Sequence, residues 1–417
     1  MRISSDKTRR GFLILSWALY DLANQFFVLN IISLYFVRWL VLEKGVPEIL
    51  YSISFGISIF FVALLAPFLG FISDLTRRYK GFLTCFTLLS VIFTIFLSLS
   101  ESILLALIFF AIANFGCQIA VVFYNALMVD IAPKERLGLI SGLGRMFAYL
   151  GAVLSLYFVK PLVLEYGYKS AFLPAALFFL IFSLPCIILI KDKYSKQAIG
   201  LIQFFKRDSI SKAFKTIRTS FSQTYKIPGA SDFLKSAFFG LAAINVIILF
   251  MSVYASQVFR LNESQMINLV AFGAFFAIIG SIISGAISDY IGYRRCLISV
   301  FILWIFCFLA GAIAKSPGFF FFVGAAVGLA MGATSVVARA LAISLVPKDR
   351  IGAVFGLFNF VGYISSILGA LFWGLMLLLL SPLGEIGYRL ALFSLNIFIF
   401  LGIFFILRIP KTRKNIG

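Results

Sequence analysis

The chain has 417 residues, 62% of them hydrophobic and 12% charged, with 36 Lys+Arg against 16 Asp+Glu and no His. A soluble domain is roughly 45–50% apolar and about 25% charged, so this composition excludes a soluble enzyme, a secreted disulfide scaffold and a single-pass receptor. The formal charge of +20 reads as basic loops facing an anionic inner leaflet, because no nucleic-acid-binding motif accompanies it.

The segment 1–10 is basic and polar. It leads into an apolar stretch too long, and too rich in polar residues, for a cleaved signal peptide. Apolar runs with short polar breaks then predict helices near 12–38, 47–73, 82–99, 102–128, 138–160 and 170–190, and a second set near 233–258, 264–288, 294–314, 317–344, 352–380 and 386–408. About 20 apolar residues cross a bilayer as a helix, and backbone groups in lipid must be satisfied within the segment. The expected architecture is an all-α membrane protein with twelve transmembrane helices. It divides into an N-terminal six-helix bundle over 1–190, a basic cytoplasmic linker over 191–232 and a C-terminal six-helix bundle over 233–417. In the linker, Ile210, Phe214, Ile217 and Phe221 recur at i, i+4, i+7 and i+11, with Lys212, Lys215 and Arg218 on other faces. That pattern suits an amphipathic helix on the inner leaflet; a solvated linker is the alternative.

With both termini inside, the cytoplasmic segments carry 27 Lys and Arg and the outer loops 7, leaving Arg145 and Arg339 within helices. This bias predicts an N-in, C-in multi-pass protein, in a prokaryotic cytoplasmic membrane. The five cysteines lie in apolar segments without metal-site spacing and read as packing thiols. No metal ligand set, phosphate loop or catalytic elbow is present, so neither an enzyme nor a cofactor is expected.

The two halves repeat each other. Gly70-Phe71-Ile72-Ser73-Asp74 returns as Gly285-Ala286-Ile287-Ser288-Asp289. Pro133-Lys134-Glu135-Arg136-Leu137-Gly138 returns as Pro347-Lys348-Asp349-Arg350-Ile351-Gly352. Six predicted helices separate the copies, which gives parallel repeats about an axis along the membrane normal.

At these residues the chain resembles the major facilitator superfamily. Asp289, Gly292, Arg294 and Arg295 follow its G-x-x-x-D-R-x-G-R-R loop signature. The first copy keeps Asp74 and Arg78 but has Leu75 and Arg77 where Arg and Gly are expected. A narrower resemblance is to the vacuolar effluxer-like (autophagy-related amino-acid effluxer) branch. It is carried by Trp17-Ala18-Leu19-Tyr20-Asp21-Leu22-Ala23-Asn24, by Phe123-Tyr124-Asn125-Ala126-Leu127 and by Ser141-Gly142-Leu143-Gly144. Leu22 and Gln25 depart from that branch's Trp and Ser, and Ala242-Ala243 stands where Asp-Gly is common.

The resemblance implies a twelve-helix secondary transporter in which helices 1, 4, 7 and 10 line a central cavity. The expected substrate-binding residues are Asp21, Asn24, Gln25, Asn125 and Arg339. Asp21, Asn24 and Gln25 lie at i, i+3 and i+4 of one helix. A guanidinium suits a carboxylate, and Asp21 suits an ammonium or a coupling proton, so the set fits an amino acid; the branch resemblance implies that it is moved outward. Whether Asp21 and Arg339 bind substrate or pair to close a gate stays open at this level. Asp74, Arg78, Asp130, Arg145, Asp289, Arg294 and Arg295 read as gating or structural residues, with Arg145 paired to Asp130 or binding an anion. Gly138, Gly142, Gly151, Gly352, Gly356 and Gly362 read as close-packing sites. The expected partners are a small-molecule substrate, a coupling proton and the bilayer, with the protein a monomer. Organic-anion uptake through Arg339, and a non-transporting receptor on the same fold, are the alternatives.

Overall fold

A computed structural model of the protein describes residues 2–76, 78–131, 137–192, 215, 218–219, 221–347 and 351–409, and their side chains apart from 2–10, 71, 74–75, 129–130, 137–139, 141–142, 145 and 351–352. Among the described residues, twelve helical spans are long and apolar enough to cross a membrane. The chain forms two compact units, Met1–Phe214 and Lys215–Gly417, with six spans in each.

In the first unit, α1 begins as an α-helix over Arg2–Phe27 and continues without a break through Val28–Leu34, Tyr35–Arg38 and Trp39–Glu43. It is followed by α2 (Glu48–Thr76), α3 (Tyr79–Leu99), α4 (Ile103–Ile131), α5 (Leu137–Tyr166) and α6 (Phe172–Leu189). Small residues set the closest approaches. A Cβ on Gly116 of α4 would lie 2.9 Å from both the Phe86 carbonyl and the Ser90 nitrogen of α3. One on Gly151 of α5 would run into the Leu22 backbone of α1. Buried amides and hydroxyls tie the remaining contacts. Asn114 Nδ2 donates to Ser58 Oγ at 2.7 Å, and Ser54 Oγ donates to the Leu107 carbonyl at 2.6 Å, joining α4 to α2. At one end of the unit, Lys169 pairs with Glu101 and holds that carboxyl below the usual carboxylate range.

The second unit holds α7 (Ala230–Phe259), α8 (Glu263–Ile291), α9 (Tyr293–Ile313), α10 (Pro317–Ser344), α11 (Ile351–Leu380) and α12, which runs over Glu385–Ser394 and Asn396–Arg408. The helix starts have local causes. Asn262 and Gln265 exchange side-chain and backbone hydrogen bonds in a capping box before α8. Ser316 caps α10, with Pro317 in its first turn. Between α8 and α9 there is one residue, Gly292, at φ 92°. That left-handed region is costly for any side chain with a Cβ, which is the physical reason for the Gly in the second loop motif.

Among the described residues, α8 and α10 pack closely along a run of glycines. Gly324, Gly328 and Gly332 repeat every fourth residue along one face of α10. A Cβ on Gly328 would run into the Gly273 backbone of α8, and one on Gly332 into the Ala277 backbone. From the other side, a Cβ on Gly280 would meet Leu329 Cα at 2.7 Å. Where lipid gives no hydrophobic drive between helices, such close backbone approach is the main source of association. Gly369 of α11 similarly abuts Ala242 of α7.

Two arginines close helix ends. Arg294 donates from Nε to the Ile406 carbonyl at 3.0 Å and from Nη2 to the Leu407 carbonyl at 2.6 Å. Arg389 donates to the carbonyls of Ala312 and Ala314 at the end of α9 and pairs with Glu385 at 2.9 Å. Both satisfy carbonyls that a helix terminus leaves without partners.

Several sequence expectations are revised here. The first helix does not end near 38 but runs to Glu43, so Arg38 is not a loop charge: it is 2% exposed inside the first span, 4.6 Å from the Tyr168 ring. The fifth helix continues through Pro161 to Tyr166. Of the glycines expected at close contacts, Gly151 is one, whereas Gly356 and Gly362 meet only ordinary contacts at 3.5 and 3.9 Å. Gly138, Gly142 and Gly352 lie outside the described side chains, and a further tight seam lies on α8 and α10, at glycines outside that expectation. Of the amphipathic linker pattern, Lys215, Arg218 and residues 221–225 are helical, and Phe221 packs 6.4 Å from Phe360 of α11. Ile210, Lys212, Phe214 and Ile217 lie outside the described residues.

Gly332→Ala and Gly328→Ala are expected to force α8 and α10 apart and destabilise the protein by about 1–3 kcal/mol, the usual scale of overpacking. Gly362→Ala should stay within about 0.5 kcal/mol. Thermal unfolding of the detergent-purified protein checks this; a Gly332→Ala variant melting like the wild type would exclude a tight seam.

Candidate functional site

The three stretches that carry the effluxer resemblance meet in one place. Trp17, Tyr20 and Asn24 recur at i, i+3 and i+7 and share a face of α1. Trp17 stacks on Tyr124 of α4 with ring centroids 4.6 Å apart and planes 5° from parallel. Tyr20 stacks on the same ring at 5.0 Å. The Trp17 indole donates from Nε1 to the Tyr124 carbonyl at 3.0 Å. Seven residues further along α1, Asn24 Oδ1 accepts from Cys117 Sγ at 3.0 Å, and Cys117 lies seven residues before Tyr124. The two helices therefore run antiparallel with a continuous seam. The Tyr20 hydroxyl is 2.7 Å from Thr87 Oγ1 on α3. Gly144 of α5 completes the contact: a Cβ there would sit 2.9 Å from the Trp17 ring and 3.1 Å from the Tyr124 hydroxyl oxygen. Stacked rings add roughly 0.5–1.5 kcal/mol per pair beyond their buried area, so this knot fixes the rotation of α1 on α4 and α5.

That rotation decides where the expected binding residues point. Asn24 is buried in the α1–α4 seam. Asp21 and Gln25, each one residue past a seam position, are half-buried on its flank. Asn125, the residue after Tyr124, is exposed. The expected trio on α1 thus separates into one packing amide and two flanking polar groups. Trp17, Tyr20, Tyr124 and Gly144 do not belong to the expected site; the i, i+3, i+7 spacing of the first motif marks Trp17 and Tyr20 beside Asn24, and no spacing marks Tyr124 or Gly144.

In the second unit, Arg339 is exposed on α10. Its neighbour Ala338 lines a small apolar cleft with Phe233, Leu241, Phe301, Thr334 and Phe358, between α7, α9, α10 and α11. Trp304 Nε1 donates to Thr334 Oγ1 at 3.0 Å, which in turn donates to the Ala330 carbonyl at 2.7 Å, so α9 is pinned to α10 one turn before Arg339. Asp289 accepts from the Tyr293 hydroxyl at 3.0 Å, across the Gly292 turn. Arg294 is engaged with the last carbonyls of α12, as above, which gives it a structural role; Arg295 is exposed at the start of α9. Arg78 is exposed just before α3. The side chains of Asp74, Asp130 and Arg145 lie outside the described residues, so the expected Asp130–Arg145 pair does too.

The Major Facilitator Superfamily model matches residues 22–370 and, in a second match, 233–417. The chain belongs to this superfamily and is an MFS-type transporter, not an enzyme. It is 26% identical over 401 residues to an uncharacterized protein of Aquifex aeolicus, covering 96% of this chain and 97% of that one. It is 26% identical over 423 residues to the MFS-type transporter YxiO of Bacillus subtilis, covering 96% and 95%. Similar solved structures are a bacterial homolog of the human lysosomal transporter Spinster, inward-facing and unoccupied, with TM-score 0.70, 14% identity and 96% of each chain covered. Another is the nucleoside transporter NupG, with TM-score 0.73, 12% identity and 96% and 100% covered. At those identities the likeness speaks for the fold.

Tyr20→Phe and Trp17→Phe each remove one buried hydrogen bond while keeping a ring. Each is expected to lower stability by about 0.5–1.5 kcal/mol. Gly144→Val should cost more than either, because the added branches meet two rings at once. Melting temperatures rank the three variants, and a Gly144→Val protein as stable as Tyr20→Phe would exclude the three-helix knot.

Proposed function

We propose that this MFS-type transporter is a secondary active carrier of a small polar solute that works by alternating access, and that the solute is an amino acid moved outward in exchange for protons. The observation that carries this reading is Asp21. It is a half-buried carboxylate inside the first span, next to Tyr20, whose ring is held in the aromatic knot. An ionised group in a membrane span costs at least roughly 2.5–3.5 kcal/mol on insertion scales, and groups of this kind mark substrate and proton paths. The vacuolar-effluxer resemblance of the same stretch supports the amino-acid part.

In this reading Asp21, with Gln25 and Asn125, receives the ammonium end and carries the coupling proton, while Arg339 receives the carboxylate as a planar fork. Asn24 holds α1 in place rather than touching solute. Asp74, Arg78, Asp289 and Arg295 belong to the gate. Two six-helix bundles, 1–190 and 233–417, rock about the solute, and the basic segment 191–232 lies on the anionic inner leaflet of a prokaryotic cytoplasmic membrane, with both termini inside and the protein a monomer. Solute binding must favour the switching arrangement to drive the cycle.

The test is a thermal-shift panel of amino acids, peptides, organic anions and amines, followed by flux in proteoliposomes. A ligand that binds only the folded protein stabilises it by RT ln(1 + [L]/Kd), about 2.7 kcal/mol at 100 Kd. A shift with amino acids that Arg339→Ala abolishes and Asp21→Asn weakens without abolishing is the expected result. Asp21→Asn should also remove proton dependence while keeping exchange; proton-driven flux unchanged in that variant would sink the coupling role. A shift confined to organic anions and lost only in Arg339→Ala would favour an uptake carrier, and binding without flux would favour a receptor.

A further inference from the structure

No Gly or Pro occurs between Phe12 and Lys44, yet α1 widens to a π-helix over Val28–Leu34 and again over Trp39–Glu43. Such departures have identifiable causes, one being a side chain inserted into the hydrogen-bond ladder. Here that side chain is Asn30. Its Nδ2 donates to the Phe26 carbonyl at 2.6 Å. That is the acceptor its own backbone N–H would take in an α-helix. The contact also fixes the amide's orientation, because only the NH₂ end can donate to a carbonyl. Beyond it the ladder reaches one residue further, and the Tyr35 N–H donates to the Asn30 carbonyl five residues back.

Neighbouring helices hold the widened stretch. The Tyr51 hydroxyl of α2 donates to the Ile32 carbonyl at 2.6 Å. Asn30 Nδ2 also donates to Ser155 Oγ of α5 at 2.6 Å. Asn30, Tyr51 and Ser155 are all fully buried. Asn30 Oδ1 is buried too, and no donor among the described residues reaches it. A π-helical turn held by side chains, with a buried acceptor left over, is a poor resting state for a purely structural helix. π-Bulges of this kind are frequent at functional sites.

We infer that Val28–Leu34 is the hinge of α1 and that Asn30 is its latch. This rests on the alternating-access reading, since a carrier needs an element with two arrangements. Releasing the Asn30 amide from Phe26 lets the stretch rewind as α-helix. One residue of register turns the helix beyond it by about 100°. That rotation carries Arg38 off the Tyr168 ring and Phe36 off Phe110, now 4.7 Å away. The inner part of α1, with Trp17, Tyr20 and Asp21, keeps its seam with α4. Asn30 is thus a positioning residue that touches no solute.

Hydrogen exchange of the full-length protein in detergent tests the latch without a known substrate. Asn30→Leu removes the competing donor, so amides 30–35 are expected to exchange at least tenfold more slowly as the stretch rewinds. Ser155→Ala keeps the Phe26 contact and should leave the pattern unchanged. Tyr51→Phe removes a hydroxyl that holds the widened stretch and should slow exchange at 30–35 in the same direction, by a smaller factor. Spin labels at positions 44 and 164, both exposed, should report two distances in the wild type and one in Asn30→Leu. Unchanged or faster exchange in Asn30→Leu, or a single label distance in the wild type, would overturn the latch. Solute flux is read separately in proteoliposomes, and a protein with the hinge but without flux would retire the carrier reading alone.

Discussion

Inside a bilayer no water competes for backbone N–H and C=O groups, and each one left over costs several kcal/mol. Most details of this structure follow from that constraint. The spans are helices because only a helix satisfies its own ladder. Serines and threonines within them turn back on carbonyls three or four residues earlier, as Ser52, Thr87, Thr94 and Thr334 do. Where a helix ends, a long polar side chain is brought in to finish it: Arg294 on α12 and Arg389 on α9. Where α1 leaves regular winding, Asn30 and Tyr51 supply the donors. Irregular backbone occurs here with its partners beside it.

The same constraint explains how a polar side chain is accommodated inside a span. Asn24 and Asn114 are amides in apolar spans, and the sequence reading places Asn24 in the site. Both spend their hydrogen bonds between helices, on Cys117 and Ser58. Asp21 and Arg339 differ because neither is taken fully into a helix seam. The aromatic knot of Trp17, Tyr20 and Tyr124 makes that distinction sharp on α1, since it fixes which side of the helix faces α4 and which side is left on the flank.

Much of this was legible in the sequence. The apolar runs located all twelve spans to within a few residues at most ends, because the energetic contrast between lipid and water is large and repeats over about 20 residues. The loop repeat exposed the internal duplication, and Gly292 shows why one copy of that motif needs its glycine. What sequence could not resolve was rotation and winding. The first predicted helix stops at Arg38 and the charge count places it with the outer charges, because hydropathy cannot tell a charge at a span's end from one packed over a tyrosine inside it. The break in winding at Asn30 carries no Pro or Gly to announce it. Spacing points to the glycines of α5 and α11 rather than those of α8 and α10, because it marks small residues without saying which face they lie on or what backbone they meet.

The α8–α10 seam has a consequence for how this protein can vary. Every single-base change in a glycine codon that alters the amino acid introduces a residue with a Cβ or ends the chain. At Gly280, Gly328 and Gly332 the space for that carbon is already filled by the facing backbone. A substitution there therefore costs stability, while the outer face of α8, with Phe275, Ile282 and Ile283 exposed, accepts one apolar side chain for another. The two faces of one helix thus differ in kind: on one side an added carbon meets facing backbone, and on the other it meets only lipid.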